Sequence, residues 1–524
     1  MSSQSPTRGE RETDIARASA DAALAASRAM PYGLSNINGT KRYLAENALL
    51  FVITATVCGF LSWKTRHFQL DDALIYLRYL RNFFDGNGLV YNVGDRFNGL
   101  TSPLYSYLLI AANTAIQNLQ ATTVLISGLF LFCASVAGSN LMASGTRMGK
   151  LLCGLFVVSF NYFYLTFGME TSLFLFLSAL ALLCYRRESY FGLGVTLGLL
   201  FLTRSEGVFL GLVIVADYII RHRKLPHVRY LAAPVLLIGA NFLFNYFYYG
   251  AFLPATGGAK IGQGKSGFWG TGLIFLNIEY MYGWVFGNSS RMLWFLIPSC
   301  LLGVAMSWRE RTTWLVLAYL ALLGGFYTIA NIPNYHWYYA PFYYFALLFS
   351  ATGAWHAIAR TAQLPVGRVT GIAIGVAAAL ATAWFVQHSF RLANVERGPM
   401  DAYKNIGNWI KHNTPPDSVL AAVEIGTVGW YSERYLVDIL GLTNRYNADY
   451  IAKKDVNSWL GKYRPDYILV HVPLWSFEAS ANCLLTKQAY REVDSFQFQG
   501  YKLLQKVAVA DVDARIEQCA HVAA

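Results

Sequence analysis

Long apolar runs separated by short basic clusters fill residues 47–389, and that alternation leaves few folds open. A hydrocarbon core roughly 30 Å thick needs about 20 helical residues to cross it. Lipid offers no water to stray backbone groups, so such runs must be helices. The runs lie near 47–63, 121–143, 151–167, 173–185, 190–203, 207–220, 230–249, 291–307, 313–330, 339–358 and 369–389, about eleven spans in all. Charged residues make up only 14% of the chain, where a soluble domain carries about a quarter. The class is an all-α polytopic membrane protein.

The net charge of +12 suggests nucleic acid only until its placement is considered. The basic residues sit in short clusters between spans: Arg147/Lys150, Arg186-Arg187, Arg221 to Lys224, Arg309/Arg311 and Arg360/Arg368. Clustering of that kind marks cytoplasmic loops, so no nucleic-acid partner is expected. Residues 1–45 read as a polar, disordered cytoplasmic tail. Membrane-domain residues 46–390 follow, with a first outer loop over 64–120. The apolar stretch 103–118 would throw every basic cluster outside if it crossed, so an interfacial helix is expected there. Residues 270–287 look like a second interfacial segment. The expected location is a bacterial inner membrane, with the N-terminus cytoplasmic.

From about 391 the composition changes. Asp401 to Lys411 has helical spacing and stops before Pro415-Pro416. Short strand-like runs follow at 418–423, 435–440 and 466–472. Residues 391–524 are therefore expected to be a soluble, periplasmic α/β domain, on the side an odd number of spans dictates. The seven cysteines show no CxxC pair, so neither a metal nor a cofactor is expected. Cys483 and Cys519, the two in this domain, are free to bridge in an oxidising compartment.

Chemistry concentrates in the first outer loop. Adjacent Asp71 and Asp72 border an apolar surface, where carboxylates are expensive unless they have a task. On a helix starting there, Asp71, Ile75, Arg78 and Asn82 share one face and Asp72, Tyr76 and Tyr79 the next. The pair equally suits a helix N-terminus, which welcomes negative charge. Both readings stand on spacing alone.

The runs Asp71-Asp72-Ala-Leu-Ile-Tyr-Leu-Arg78, Gly86-Asn-Gly-Leu-Val-Tyr-Asn-Val-Gly94 and Thr101-Ser-Pro-Leu104 resemble the first-loop signature of GT-C glycosyltransferases. They are most like the mycobacterial branch that adds terminal arabinofuranose. Gly168-Met-Glu-Thr171, Leu202-Thr-Arg-Ser-Glu-Gly207 and Glu424 to Tyr431 resemble elements of the same group, with Ser205 where such enzymes often carry proline. The resemblance implies a multi-span helical fold, a polyprenyl-phosphate sugar donor and a catalytic Asp in the loop.

Glycosyl transfer needs a base for the acceptor hydroxyl and cations for the departing phosphate. Asp71 or Asp72 suits the first task, with Asp71 preferred because it shares a face with Arg78. Arg78, Arg204 and Lys260 suit the second, with Tyr76, Glu170, Glu206 and His336 completing the expected pocket. Arg204 suits a structural pair with Glu170 or Glu206 as well. Lys260, within Gly257-Gly-Ala-Lys-Ile-Gly262, suits a flexible solvated loop equally well, and His336 suits an aromatic belt as well as a sugar pocket. The acceptor class expected is a cell-envelope glycan, lipid or protein. The competing class is a transporter or flippase of lipid-linked glycans, which would place charges at mid-membrane within repeated halves. No internal repeat is visible.

Overall fold

Each of the eleven expected spans is a helix in the computed structural model of the chain, from Ile37–Lys64 to Arg368–Ala393. The structure describes residues 37–142, 146–270, 272–277, 290–361, 368–395, 401–451 and 453–521. Five of these helices are long and apolar enough to cross a membrane: Lys41–Lys64, Leu119–Met142, Arg147–Leu165, Arg311–Ile329 and Arg368–Ala393. Thr171–Arg186, Tyr190–Thr203 and Arg291–Met306 are shorter apolar helices of 14 to 16 residues, roughly 21–24 Å long. The shorter ones need not match a full bilayer individually. Thr171–Arg186, for example, buries most of its side chains within the protein rather than against lipid.

Most of the expected polar tail, residues 1–36, lies outside the described residues, and helix begins at Ile37 rather than after residue 45. An Arg42–Glu46 pair at 2.9 Å supports that first stretch at i,i+4 spacing. Residues up to Leu49 form one unit and Leu50–Ala524 another. Of the expected interfacial segment 270–287, residues 271 and 278–287 fall outside the described set, and Ile274–Leu276 forms a single 3-10 turn.

The first outer loop holds two helices. Asp71–Phe84 begins with two acids and ends near Arg81, matching the helix dipole at both ends. Pro103–Ile116 starts at an N-cap, Ser102, whose side chain accepts from the Tyr105 amide, with proline in the first turn. At 14 residues it spans about 21 Å, well short of the hydrocarbon core.

The C-terminal segment forms a five-stranded sheet of β1 (Val419–Ala422), β2 (Tyr435–Asp438), β3 (Tyr467–His471), β4 (Tyr490–Glu492) and β5 (Tyr501–Lys506). Its order is β2-β1-β3-β5-β4. The β1–β2 and β1–β3 pairs are parallel, and β5 runs antiparallel to both β3 and β4. Successive strand side chains point to opposite faces, and here the two faces serve different cores. Leu420, Ala422, Leu436, Leu469 and Leu503 join the apolar core of the helical body. Ala421, Val437, Ile468, Val470 and Leu504 pack with Trp459 and Ile516 on the far side. A one-residue register slip would exchange the two sets. On that far side Cys483 and Cys519 are joined by a disulfide.

Candidate active site

The helix Asp71–Phe84 is wedged between the helical body and the C-terminal sheet, so its two acidic faces look in different directions. The Asp71 carboxylate accepts from the backbone amides of Gly426 at 3.1 Å and Thr427 at 2.6 Å. Burial and the neighbouring Asp72 charge push its carboxyl up to about 7, with the Thr427 amide opposing. A Cβ at Gly426 would overlap the Asp71 backbone, and one at Gly429 would overlap the Tyr91 hydroxyl. Only glycine permits so close an approach at these positions.

Arg78, about two turns further along the helix, is fully committed. Its guanidinium donates to the carbonyls of Tyr91, Gly429 and Arg434 and to Asn92 Oδ1, all within 2.9 Å. It lies 4.3 Å from the Tyr91 ring centroid and is 5% exposed. The face shared by Asp71 and Arg78 therefore fastens the C-terminal sheet to the loop. Asp71 and Arg78 share that face, as the helical spacing predicts, and both are engaged there by residues 426–434.

The other face opens into a cavity of about 360 Å³ lined by Asp72, Glu170, Arg204, Glu206 and Lys260, among others. Apolar Phe201, Phe242 and Leu253 line it too, with Thr101, Trp337 and Tyr338. Asp72 is half-buried, and its carboxyl is raised by burial against the opposing pull of Lys260. Tyr76 lies beneath the lining: its hydroxyl bonds Thr101 at 2.7 Å and donates to Glu170 at 3.1 Å, fixing that carboxylate.

Arg204 stands 3.7 Å from Glu170 and 3.3 Å from Glu206, and donates to the Trp337 carbonyl. It meets both carboxylates at once while still lining the cavity, flanked by the Tyr338 ring at 4.9 Å. Tyr327 donates to Glu206 at 3.2 Å. Lys260 lines the same cavity. The glycine-rich stretch is not a flexible loop but part of the helix Thr256–Ser266, and Lys260 is 8% exposed. Its ammonium lies 3.8 Å from the Tyr335 ring centroid. Burial lowers its pKa while the charges of Asp72 and Asp438 raise it. A helix over so many glycines reflects tertiary packing overriding weak local propensity.

His336 does not line the cavity; its neighbours Trp337 and Tyr338 do. It is buried in the 3-10 turn His336–Tyr339, where burial lowers its pKa to about 4, and its carbonyl accepts from Tyr162. Among the described residues no group of three or more His, Cys, Asp or Glu is arranged to hold a metal ion.

Sequence reasoning missed a second buried cluster. His471 on β3 lies 2.8 Å from Glu478 and 3.1 Å from Glu424, and stacks on Trp475 with centroids 3.6 Å apart. Tyr403 donates to Glu424, and the ring of Tyr501 packs 5.1 Å from His471. Burial opposes the imidazolium, but the two carboxylates outweigh it and raise the pKa to about 9. A histidine raised in the folded state stabilises fully below its unfolded value of about 6.5, and loses that contribution as pH rises through 9. The melting temperature of the native protein is thus expected to fall between pH 7 and 10 more steeply than that of His471→Gln. Parallel melting profiles for the two proteins would remove the charge clamp. No motif marks this cluster, because its members are spread over residues 403–501.

A family model, a domain of unknown function (DUF8728), matches residues 392–517. The chain is 33% identical over 113 residues to a terminal β-(1→2)-arabinofuranosyltransferase of Corynebacterium glutamicum, covering 21% of this chain and 16% of that one. Against the Mycobacterium tuberculosis protein of the same name it is 26% identical over 248 residues, covering 43% and 39%. The matches thus span less than half the length of either curated relative. Among solved structures, ArnT from Cupriavidus metallidurans bound to undecaprenyl phosphate superposes with a TM-score of 0.54 at 13% identity. That match covers 88% of this chain and 98% of ArnT. At such identity the likeness speaks for the fold, and the sequence matches point the same way. The chain thus shares its fold with ArnT over most of its length.

Proposed function

We propose that the chain is a membrane glycosyltransferase that moves a sugar, arabinofuranose by the names of its relatives, from a polyprenyl-phosphate donor to an extracytoplasmic acceptor. The acceptor is a cell-envelope glycan, lipid or protein. One observation carries the reading: a half-buried carboxylate, Asp72, shares a cavity with a buried lysine, a buried arginine and apolar walls. Those are the groups that transfer from a lipid phosphate requires.

In this reading Asp72 takes the proton of the acceptor hydroxyl. The hydroxyl oxygen bonds the anomeric carbon while the bond from that carbon to the phosphate oxygen breaks. The phosphate leaves with the electron pair, and Lys260 and Arg204 meet its charge. Glu170 and Glu206 hold Arg204 in place, and Phe201, Phe242 and Leu253 suit the first isoprenoid units. In the same proposal residues 46–390 carry the lipid chemistry, and 391–524 are a periplasmic domain that holds the start of the Asp71–Phe84 helix. The orientation with the N-terminus cytoplasmic rests on the basic clusters. The Cys483–Cys519 bridge suits an oxidising compartment.

Purified protein given a synthetic polyprenyl-phosphate arabinofuranose and an oligoarabinoside is expected to form a new glycosidic bond. Movement of the donor across a vesicle without bond formation would support the flippase class instead. Lys260→Met is expected to lower kcat/KM for the donor by about 10–100-fold, the worth of one charge-assisted hydrogen bond to an anion. Donor titration of folded Lys260→Met measures this, and an unchanged kcat/KM would take Lys260 out of the site.

A further inference from the structure

A groove of about 630 Å³ runs between the first span, Ile37–Lys64, and the helix Leu119–Met142, and shares no lining residue with the Asp72 cavity. Ser127 donates or accepts toward Tyr105 and accepts from the Gly168 amide, while its neighbour Gly128 lines the groove. The floor of the groove is small, with Gly59 and Gly128, and its walls include Leu125 and Leu129, each more than half uncovered. A Cβ at Gly59 meets nothing within 4 Å, so the space there is real.

One end of this groove is polar, on the side of the chain that leads directly into Asp71. There Arg66, His67, Asn118 and Gln120 line it, with no Asp or Glu in the lining. The Arg66 guanidinium is only half-buried, lying over the Trp63 ring at 4.5 Å and donating one hydrogen bond to the Trp63 carbonyl. Trp63, more than half exposed beside it, is of the residue type enriched where membrane meets water. An apolar trough ending at a cation with no acidic neighbour is complementary to a membrane lipid with an anionic head.

We propose that this groove is a binding site for an anionic phospholipid of the leaflet facing the candidate active site. The tail lies along Gly59, Leu125 and Leu129, and the phosphate meets Arg66 and His67. The lipid is not a substrate, since the groove shares no lining residue with the Asp72 cavity. It fills the seam between two membrane spans and steadies their packing.

Native mass spectrometry tests this with purified protein offered equal phosphatidylglycerol and phosphatidylcholine. The native protein is expected to retain phosphatidylglycerol in preference, on the order of fivefold, the worth of one basic side chain at an anionic surface. Arg66→Ala should level the two lipids, and Gly59→Leu, which fills the floor, should release both while melting no lower in lipid-free detergent. Equal retention of the two lipids by the native protein, or undiminished retention by Gly59→Leu, would overturn the proposal. So would displacement of the lipid by polyprenyl phosphate at matched concentration, which would make the groove a donor site.

Discussion

Asp72→Asn is expected to cut turnover by about 10²–10⁴-fold, the usual contribution of general base catalysis, with donor binding largely kept. The amide preserves the shape of the carboxylate but cannot take the acceptor's proton. The proposed function gives the role of base to Asp72 rather than its neighbour, because it alone of the pair lines the cavity that holds Lys260 and Arg204. Asp71 spends both carboxylate oxygens on the amides of Gly426 and Thr427. Asp71→Asn puts an NH₂ against one of those donors, so its principal effect is on stability, about 1–3 kcal/mol for the orphaned amide. The two variants therefore separate by readout: Asp72→Asn melts near the native temperature and turns over slowly, while Asp71→Asn melts early. Turnover of folded Asp72→Asn within threefold of native would end its role as base. If Asp71→Asn then carried the larger kinetic loss, the preference based on helix faces would stand after all.

How the sequence was legible at this site is instructive in its particulars. Helical spacing correctly separated Asp71, Arg78 and Asn82 from Asp72, Tyr76 and Tyr79, because side-chain direction on a helix follows from local geometry alone. What lies opposite each face does not. The Asp71 face meets residues 426–434, some 350 positions away, and nothing in the loop announces that partner. The three strand-like runs, at 418–423, 435–440 and 466–472, coincide with β1, β2 and β3. β4 and β5 carry weaker signals, because Tyr490–Glu492 is only three residues and Tyr501–Lys506 sets Leu503 and Leu504 side by side among polar residues, without a strand's alternation. The flexible-loop alternative for the stretch around Lys260 differs from the helix Thr256–Ser266 for another reason. Glycine content argues for a loop when propensity is weighed by itself, yet here the Asn331 backbone packs directly against Gly264, and a Cβ there would overlap it. The small residues let a helix approach its neighbours closely, which carries a lysine into a buried site. Arg204, quoted within a motif, was placed near Glu170 and Glu206 by sequence, and both ion pairs are present.

Arg78→Ala is expected to destabilise the protein by about 3–5 kcal/mol, since several buried acceptors lose their donor at about 1–3 kcal/mol each. The guanidinium is the single donor group reaching four acceptors that belong to two parts of the chain: Tyr91 and Asn92 in the outer loop, Gly429 and Arg434 beside the sheet. Alanine leaves those carbonyls buried against one another, with Asn92 still tied to the Leu436 backbone and unable to turn away. Arg78→Lys rescues little, because an ammonium has three donors on a flexible stem and cannot match a planar fork aimed at four oxygens. A domain docked less firmly opens the Asp72 cavity to water, so turnover falls too, but as a consequence. The order of effects is the discriminating measurement. Limited proteolysis should release the C-terminal segment from Arg78→Ala faster than from the native protein, and melting should drop before any change in donor KM is resolved at low temperature. A variant that melts and resists protease like the native protein, yet binds donor weakly, would return Arg78 to the phosphate site. The dock formed with Asp71 would then rest on the Gly426 and Thr427 amides without it.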